Sequence, residues 1–193
     1  MAPVPNPEKL WRYTSLVRLS SWVLIVVGLA MLPMSIIAQL SEGLSMKYVA
    51  TLIGTTGVTG ILFFPLLTMW MKKSRPSAFL VRAKKLSGPR ILPAARRDLR
   101  RWGLMMGVFL FIATVAMVSF LVGVLANSGP EGIAEGVVVG VLVAWGLVTL
   151  EDARAIARAE SSEGRTYFAV GHRPTAAGNR LVWTPSGAEP QPE

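Results

Sequence analysis

Four long apolar stretches alternate with polar segments along this chain of 193 residues. They occupy residues 20–40, 48–71, 102–126 and 132–150, and the only Asp, Glu, Lys or Arg in any of them is Glu135. An α-helix rises 1.5 Å per residue, so about 20 residues cross the roughly 30 Å hydrocarbon core of a bilayer. The pattern therefore predicts an all-α polytopic membrane protein, a small bundle of four transmembrane helices.

The two terminal segments predict smaller elements. Residues 151–193 are expected to extend the fourth helix into water and then to become partly disordered, with short strands near 166–170 and 181–184. A lone hairpin is marginal in water, so these strands need a partner or form only transiently. Residues 1–19 are either a simple flank or, from Glu8 onward, a short amphipathic helix at the membrane surface. The apolar positions of that helix are Leu10, Trp11, Tyr13, Leu16 and Val17.

The longest polar segment, residues 72–101, is strongly basic. It holds 11 of the 20 Lys and Arg residues of the chain and one acid, Asp98. Its apolar spacing predicts an interfacial amphipathic helix, a break at Gly88 and Pro89, and a second helix that enters the third span. Near an anionic leaflet each Lys or Arg contributes about 1 kcal/mol. We therefore expect anionic-lipid binding by Lys72, Lys73, Arg75, Arg82, Lys84, Lys85, Arg96, Arg97, Arg100 and Arg101.

Charge also predicts how the chain threads the membrane. Residues 1–19, 72–101 and 151–193 hold 3, 11 and 5 Lys and Arg, whereas the two short connecting loops hold one, Lys47. Loops rich in Lys and Arg stay in the cytoplasm, so both termini and the basic loop are expected there, in a cytoplasmic membrane of bacterial type. Tryptophan rings prefer the headgroup level, and three of them lie at the matching ends of their spans: Trp22, Trp70 and Trp102.

Small residues recur at helical spacing in the last two spans. Stripes of this kind let two helix backbones approach closely, either within one bundle or between copies. Packing within the chain and assembly with a second copy or a membrane-protein partner both remain open. The predicted helix-packing positions are Gly132, Gly136, Gly140 and Ala144 in the fourth span, with Gly103 and Gly107 in the third.

Composition restricts the chemistry. The chain has no Cys and a single His, His172, so no thiolate site and no histidine cluster can form within one copy. It contains no nucleotide-binding or hydrolase motif, and we expect neither a cofactor nor enzymatic activity. The mean hydropathy of +0.48 and net charge of +9 suit a membrane protein with basic loops better than a nucleic-acid-binding protein. Glu135, about one turn inside the fourth span, is a candidate ion or proton site or an interfacial acid that reaches water.

These features favour a small membrane interaction or assembly protein. It would pack with itself or with a membrane partner and bind anionic lipid headgroups through its basic loop. The alternative is a small pore, transporter or holin-like protein, which rests on the Thr and Gly residues of the second span and on Glu135. Spans without charge at their midplane do not favour an ion-coupled transporter that works as a single copy.

Overall fold

The computed structural model describes residues 9–40, 45–70, 76–85, 96–125, 132–171 and 180–186. Over these ranges the chain is mostly helical, with a small sheet. The four long helices are α1 (Tyr13–Leu40), α2 (Met46–Trp70), α3 (Arg96–Leu125) and α4 (Ile133–Glu163). The strands are β1 (Lys9–Arg12), β2 (Lys84–Lys85), β3 (Arg165–Gly171) and β4 (Arg180–Pro185), and a 3-10 helix covers Pro76–Arg82. Four helices are long and apolar enough to cross a membrane, which confirms that part of the prediction.

The chain divides into two compact units. The helical unit comprises Ser20–Met71 and Leu104–Val148, and the basic unit comprises Met1–Leu19, Lys72–Gly103 and Thr149–Glu193. Helices α1, α3 and α4 each contribute residues to both units. The basic unit is therefore assembled from three segments that are distant in sequence.

In the helical unit several glycines lie at close contacts between helices. A Cβ atom at Gly146 would lie 2.6 Å from Cγ1 of Ile25, so α1 and α4 are in close contact. The outside carries large apolar side chains: Ile61 of α2 is 75% exposed and Phe109 of α3 is 73% exposed. This arrangement follows the packing rule for helices in lipid, where close backbone approach rather than burial of large side chains holds helices together.

Threonine hydroxyls in the helical unit bond back to their own helix. The Thr56 hydroxyl donates to the Leu52 carbonyl at 2.8 Å, and the Thr114 hydroxyl donates to the Leu110 carbonyl at 2.7 Å. A polar group without a water partner costs free energy unless it is hydrogen-bonded, and this local bond satisfies the donor. These two threonines can therefore occupy an apolar helix without a partner on a neighbouring helix.

The basic unit contains a four-stranded sheet in the order β1-β3-β4-β2. Strands β3 and β4 form the antiparallel hairpin expected near residues 166–170 and 181–184, with Thr166 opposite Thr184. Strand β1 pairs antiparallel with β3, and β2 pairs parallel with β4. The two added strands supply the partners that an isolated hairpin lacks in water.

The sheet is apolar on both faces. Successive side chains of a strand point to opposite sides, so two adjacent apolar residues contribute to different faces. Leu10 of β1 packs on one face, and Trp11 packs on the other. The first face holds a cluster of Leu10, Phe168, Val170 and Val182. The second face belongs to the main core of the unit, which includes Trp11, Tyr13, Leu16, Val17, Ala153, Ile156, Tyr167 and Ala169.

Three expectations need correction. The fold is not all-α, because the sheet is a folded part of the basic unit. Residues 9–12 form β1 rather than an amphipathic helix, since pairing with β3 lets the adjacent Leu10 and Trp11 both be buried. The first part of the basic loop is a 3-10 helix followed by β2, not an α-helix, so Lys84 and Lys85 lie in a strand. The Gly88–Pro89 break lies outside the described residues.

Helix α4 ends at Glu163. Gly164 follows with φ +60, the left-handed conformation that glycine adopts after a helix at no steric cost. Its carbonyl accepts a hydrogen bond from the Ser186 backbone N–H at 2.8 Å, just after β4. The turn out of α4 and the end of the hairpin are thereby joined.

Candidate functional site on the basic unit

The first and second segments of the basic unit are joined by polar contacts. The Lys9 ammonium donates to Oδ2 of Asp98 at 2.6 Å, which ties β1 to the first turn of α3. The Tyr13 hydroxyl donates to the Pro76 carbonyl at 3.3 Å. Asp98, the one acid of the basic loop, is therefore engaged by a cation of the first segment.

The third segment is joined to the other two in the same way. The Ser77 hydroxyl donates to Oδ1 of Asp152, a side chain on α4 that is 1% exposed. The Trp11 indole N–H donates to the Gly171 carbonyl at 3.1 Å. A buried carboxylate is tolerated only when it is hydrogen-bonded or paired, so the Ser77 contact helps Asp152 to remain inside. Every pair of segments is thus linked by at least one directional contact.

Two further acids of α4 hold the start of the hairpin. Oε1 of the buried Glu160 accepts the Tyr167 backbone N–H at 3.1 Å, and Oε2 lies 3.7 Å from the Arg12 guanidinium. The Tyr167 hydroxyl donates to Glu163 at 2.7 Å. Burial, reinforced by this hydrogen bond, raises the pKa of Tyr167 above its ordinary value of 10.0. These acids serve internal contacts.

The charge of the chain is concentrated in this unit. It holds 19 Lys and Arg against eight Asp and Glu, a formal charge of +11, whereas the helical unit carries −2. Asp98, Asp152, Glu160 and Glu163 are occupied by the contacts described above. Much of the negative charge therefore serves contacts inside the unit, while many of its cations face outward.

The predicted lipid-binding cations that the structure describes fall into two groups. Arg82, Lys84 and Lys85 are exposed where the 3-10 helix meets β2. Arg97, Arg100 and Arg101 are exposed on the first turns of α3, and Arg96 begins that helix. Lys72, Lys73 and Arg75 lie outside the described residues. The structure places both groups in the same compact unit.

The predicted packing glycines of α4 face α2 of the same chain. A Cβ atom at Gly136 would lie 2.8 Å from Cβ of Thr55, and one at Gly140 would lie 2.7 Å from the Thr56 carbonyl oxygen. Gly132, with φ +87, precedes the helix and lies against Tyr48. Real Cβ atoms do not approach so closely, so any larger residue at Gly136 or Gly140 would separate the helices.

The remaining predicted packing positions have different surroundings. Ala144 is buried in a cluster with Leu67 and Val148. A Cβ atom at Gly103 would lie 2.8 Å from Cδ1 of Leu19, within the basic unit, whereas one at Gly107 would be 3.9 Å from Cγ1 of Val23. The Gly103 contact is therefore tight, and the Gly107 contact is ordinary.

Two close-contact glycines were not predicted from the sequence. Gly146 meets Ile25 and the Ser21 carbonyl, and a Cβ atom at Gly28 would lie 3.1 Å from Cγ2 of Val143. Gly146 is not on the four-residue repeat, and Gly28 has no repeat at all in the first span. A signal was nevertheless present, because an isolated glycine inside a long helix destabilises it unless packing compensates.

Glu135 lies in the first turn of α4 and is half-buried. A carboxylate there interacts favourably with the positive end of the helix dipole, which gives the side chain a structural role without any ligand. Within the described part of the chain, no three His, Cys, Asp or Glu side chains come together in a group that could hold a metal ion.

The fold and this surface together define a four-helix chain that carries a folded, strongly basic unit. Comparison with known protein families, curated proteins and solved structures finds no match. The function is therefore inferred from the residues of this chain alone.

Proposed function

We propose that this is a small integral membrane protein whose helical unit crosses the bilayer four times and whose basic unit binds anionic lipid headgroups at the cytoplasmic surface. The observation that carries the proposal is the division of the chain into an apolar unit of formal charge −2 and a unit of +11. The surface of the helical unit then suits hydrocarbon, and the surface of the basic unit suits the headgroup region with its water.

The outer surface of the helical unit supports placement in a membrane. Large apolar side chains such as Ile61, Leu104 and Phe109 are more than 70% exposed. Soluble monomers rarely expose contiguous apolar patches larger than a few hundred Å², because water solvates such surfaces poorly. A bilayer supplies the apolar surroundings that these side chains lack.

The assembly of the basic unit supports a single side for its three segments. Residues 1–19, 72–103 and 149–193 fold together, and a compact unit cannot form from segments held on opposite sides of a bilayer. The positive-inside rule places such Lys- and Arg-rich segments in the cytoplasm. The contact of Lys9 with Asp98 can then form once the first two spans have been inserted, whereas the contact of Ser77 with Asp152 forms only after all four.

The exposed cations support the choice of anionic lipid as the partner. Each Lys or Arg near an anionic leaflet contributes about 1 kcal/mol, and the attraction falls off within a Debye length of roughly 10 Å. Arg82, Lys84 and Lys85 follow one another closely in a segment whose backbone is fixed by pairing with β4. Fixed cations lose less freedom on binding than cations on a disordered loop.

An assembly role is the second part of the proposal. The glycine repeat of α4 is occupied by α2 of the same chain, because Gly136 and Gly140 lie against Thr55 and Thr59. Self-association or binding of a membrane partner would therefore use a different helix face. The same contacts make the pore or transporter alternative less favoured, since these threonines of α2 pack against α4.

Lipid selectivity in reconstituted membranes tests the proposal. Spin-labelled phosphatidylglycerol should associate with the protein more strongly than spin-labelled phosphatidylcholine, and the preference should weaken as salt rises. The double variant Lys84→Gln with Lys85→Gln should lose part of the preference. The control, Arg154→Gln with Arg158→Gln, removes the same charge from exposed positions on α4 and should lose less. Equal preference for both lipids in the unaltered protein would refute the lipid-binding role.

Reporter fusions test the orientation. A phosphatase that is active only outside the cytoplasm, fused after residue 193, should be inactive, whereas the same enzyme inserted after Ser45 should be active. The opposite pattern, or recovery of the unaltered protein in solution without detergent, would refute the proposed placement.

A further inference from the structure

The exposed surface around the 3-10 helix includes one large apolar side chain. Val81 is 91% exposed, the highest exposure among the large hydrophobic residues that the structure describes as exposed. Its exposed neighbours in sequence are Arg82, Lys84 and Lys85. We refer to these four residues as the Val81 patch. A valine so fully exposed beside three cations suggests a contact with something that is apolar and anionic together.

Several contacts hold the backbone of this segment in place. At its start, the Pro76 carbonyl accepts from Tyr13 and the Ser77 hydroxyl donates to Asp152. Further on, Leu80 and Ala83 pack against the main core, and the Ala83 backbone N–H donates to the Leu80 carbonyl at 3.0 Å. The exposure of Val81 is therefore a consequence of a fixed backbone rather than of an unanchored loop.

The geometry of the 3-10 helix explains which side chains face outward. Such a helix has three residues per turn, so side chains three apart lie above one another. Ser77, Leu80 and Ala83 are three apart, and all three contact the interior of the unit. Ala78 and Val81 form the next row and are exposed, and the exposed Lys84 follows in β2. In an α-helix, which has 3.6 residues per turn, residues three apart would not lie directly above one another.

We infer that Val81 inserts into the apolar edge of an anionic leaflet, while Arg82, Lys84 and Lys85 bind the headgroup phosphates around it. This inference rests on the proposed lipid binding and adds an apolar contact between Val81 and the leaflet. The three cations and the exposed valine together indicate an anionic lipid as the partner. Binding to an uncharged apolar surface would not need three cations, and binding to a soluble phosphate would not need the valine. Val81 lies 11 residues after Trp70, the last residue of α2, in the sequence.

A probe beside the patch tests the insertion directly. The chain has no cysteine, so Ala78→Cys gives a unique site for a fluorophore in the same outward row as Val81. In vesicles of phosphatidylcholine with phosphatidylglycerol, the probe should be quenched by shallow nitroxide-labelled lipids and protected from aqueous iodide. A probe attached through Ser162→Cys, at an exposed position near the end of α4, serves as the control and should remain accessible to iodide.

Substitution of Val81 then separates insertion from charge. Val81→Ser should lower the ratio of lipid quenching to iodide quenching at position 78 by up to about tenfold, the factor that corresponds to burying one valine side chain. Val81→Leu should raise it. Both variants alter a fully exposed side chain, so the basic unit should remain folded, as its tryptophan fluorescence would report.

The outcomes distinguish this inference from the proposal on which it rests. If the probe stays open to iodide and Val81→Ser changes nothing while the preference for phosphatidylglycerol persists, lipid binding stands and the insertion is refuted. If the preference is also absent, the proposed function fails with it. If the probe at position 78 is protected from iodide equally well in vesicles of phosphatidylcholine alone, the role of the three cations in placing Val81 is refuted.

Discussion

Gly140 and Leu10 occupy comparable buried positions in the two units, yet they are buried for different reasons. In the helical unit, Gly140 lies against Thr59 and the backbone of α2, while large residues such as Phe109 are exposed. In the basic unit, Leu10 is 1% exposed within an apolar cluster, while cations such as Lys84 face outward. The helical unit brings glycines into close helix contacts and leaves many large apolar residues exposed, whereas the basic unit buries apolar side chains and exposes cations.

The difference indicates which solvent each unit is built for. Burying a leucine removes apolar surface from water and favours folding, but it gains almost nothing when the outside is hydrocarbon. Close backbone contact then becomes the main stabilising interaction, and glycine allows it. The contrast can be seen within α4 alone, where Gly136 and Gly140 are buried in the first half and Ile156 is buried beside the exposed Arg154 in the second.

Truncating the chain before the hairpin should unfold the basic unit and leave the helical unit folded. Deleting residues 165–193 removes β3 and β4, which lie at the centre of the sheet and pair with both β1 and β2. The basic unit should unfold, because two short strands without partners are not stable in water. Trypsin should then cut rapidly within residues 72–101, while the four apolar stretches, which contain no Lys or Arg, should remain protected in the membrane from proteinase K, a protease that does not require those residues.

Two outcomes would contradict that prediction. Deleting only residues 187–193, which follow β4, is the control and should leave trypsin sensitivity unchanged. If the long deletion also leaves it unchanged, the hairpin does not organise the basic loop. If the long deletion opens the spans to protease as well, the two units do not fold independently.

The next largest effect sharpens the role of glycine in the helical unit. Gly140→Ala would place a Cβ atom 2.7 Å from the Thr56 carbonyl oxygen, so α2 and α4 must separate. Overpacking of this kind costs about 1–3 kcal/mol. Gly57→Ala is the matched control, since nothing lies within 4 Å of its new Cβ atom and alanine favours the helix. The midpoint of thermal unfolding in detergent should fall for the first variant and hold or rise for the second.

A smaller effect addresses the links between segments of the basic unit. Tyr13→Phe removes the hydroxyl that donates to the Pro76 carbonyl and leaves the buried ring in place. Loss of such a hydrogen bond costs about 1 kcal/mol. Denaturant unfolding followed by tryptophan fluorescence should show this loss in the basic unit. Ser161→Ala removes an exposed hydroxyl of α4 and should change the free energy of unfolding by no more than a few tenths of a kcal/mol. Equal effects of the two variants would show that the Tyr13 contact does not join the segments.

The four long helices were predictable because each apolar stretch is uninterrupted, and no tertiary knowledge is needed to recognise about 20 residues without charge. The hairpin was also predictable, since residues 166–170 and 181–184 have strand-forming side chains and the sequence between them contains Pro174 and Gly178. Strand β1 was not predictable, because its partner β3 lies more than 150 residues away and its apolar residues fit a helical spacing equally well.

The candidate site was predicted in composition but not in geometry. The cations of residues 72–101 were evident from charge alone. The type of helix over Pro76–Arg82 was missed, because Leu80 and Ala83 fit α-helical spacing as well as three-residue spacing. The contacts of Asp98 and Asp152 were missed because their partners, Lys9 and Ser77, belong to other segments of the chain.

The smallest expected effect concerns pH and applies only to the basic unit. Burial and the hydrogen bond to Glu163 raise the pKa of Tyr167 in the folded protein above its ordinary value of 10.0. The resulting stability is complete below pH 10.0 and is lost as pH rises through the higher folded-state pKa, because the unfolded chain then releases the phenolic proton more easily. Lysines titrate in the same range, so the measurement must be a difference between proteins. Tyr167→Phe should therefore show a shallower alkaline decline in the stability of the basic unit than the unaltered protein, with both followed by tryptophan fluorescence. Parallel declines would mean that the phenol is not held by burial and Glu163.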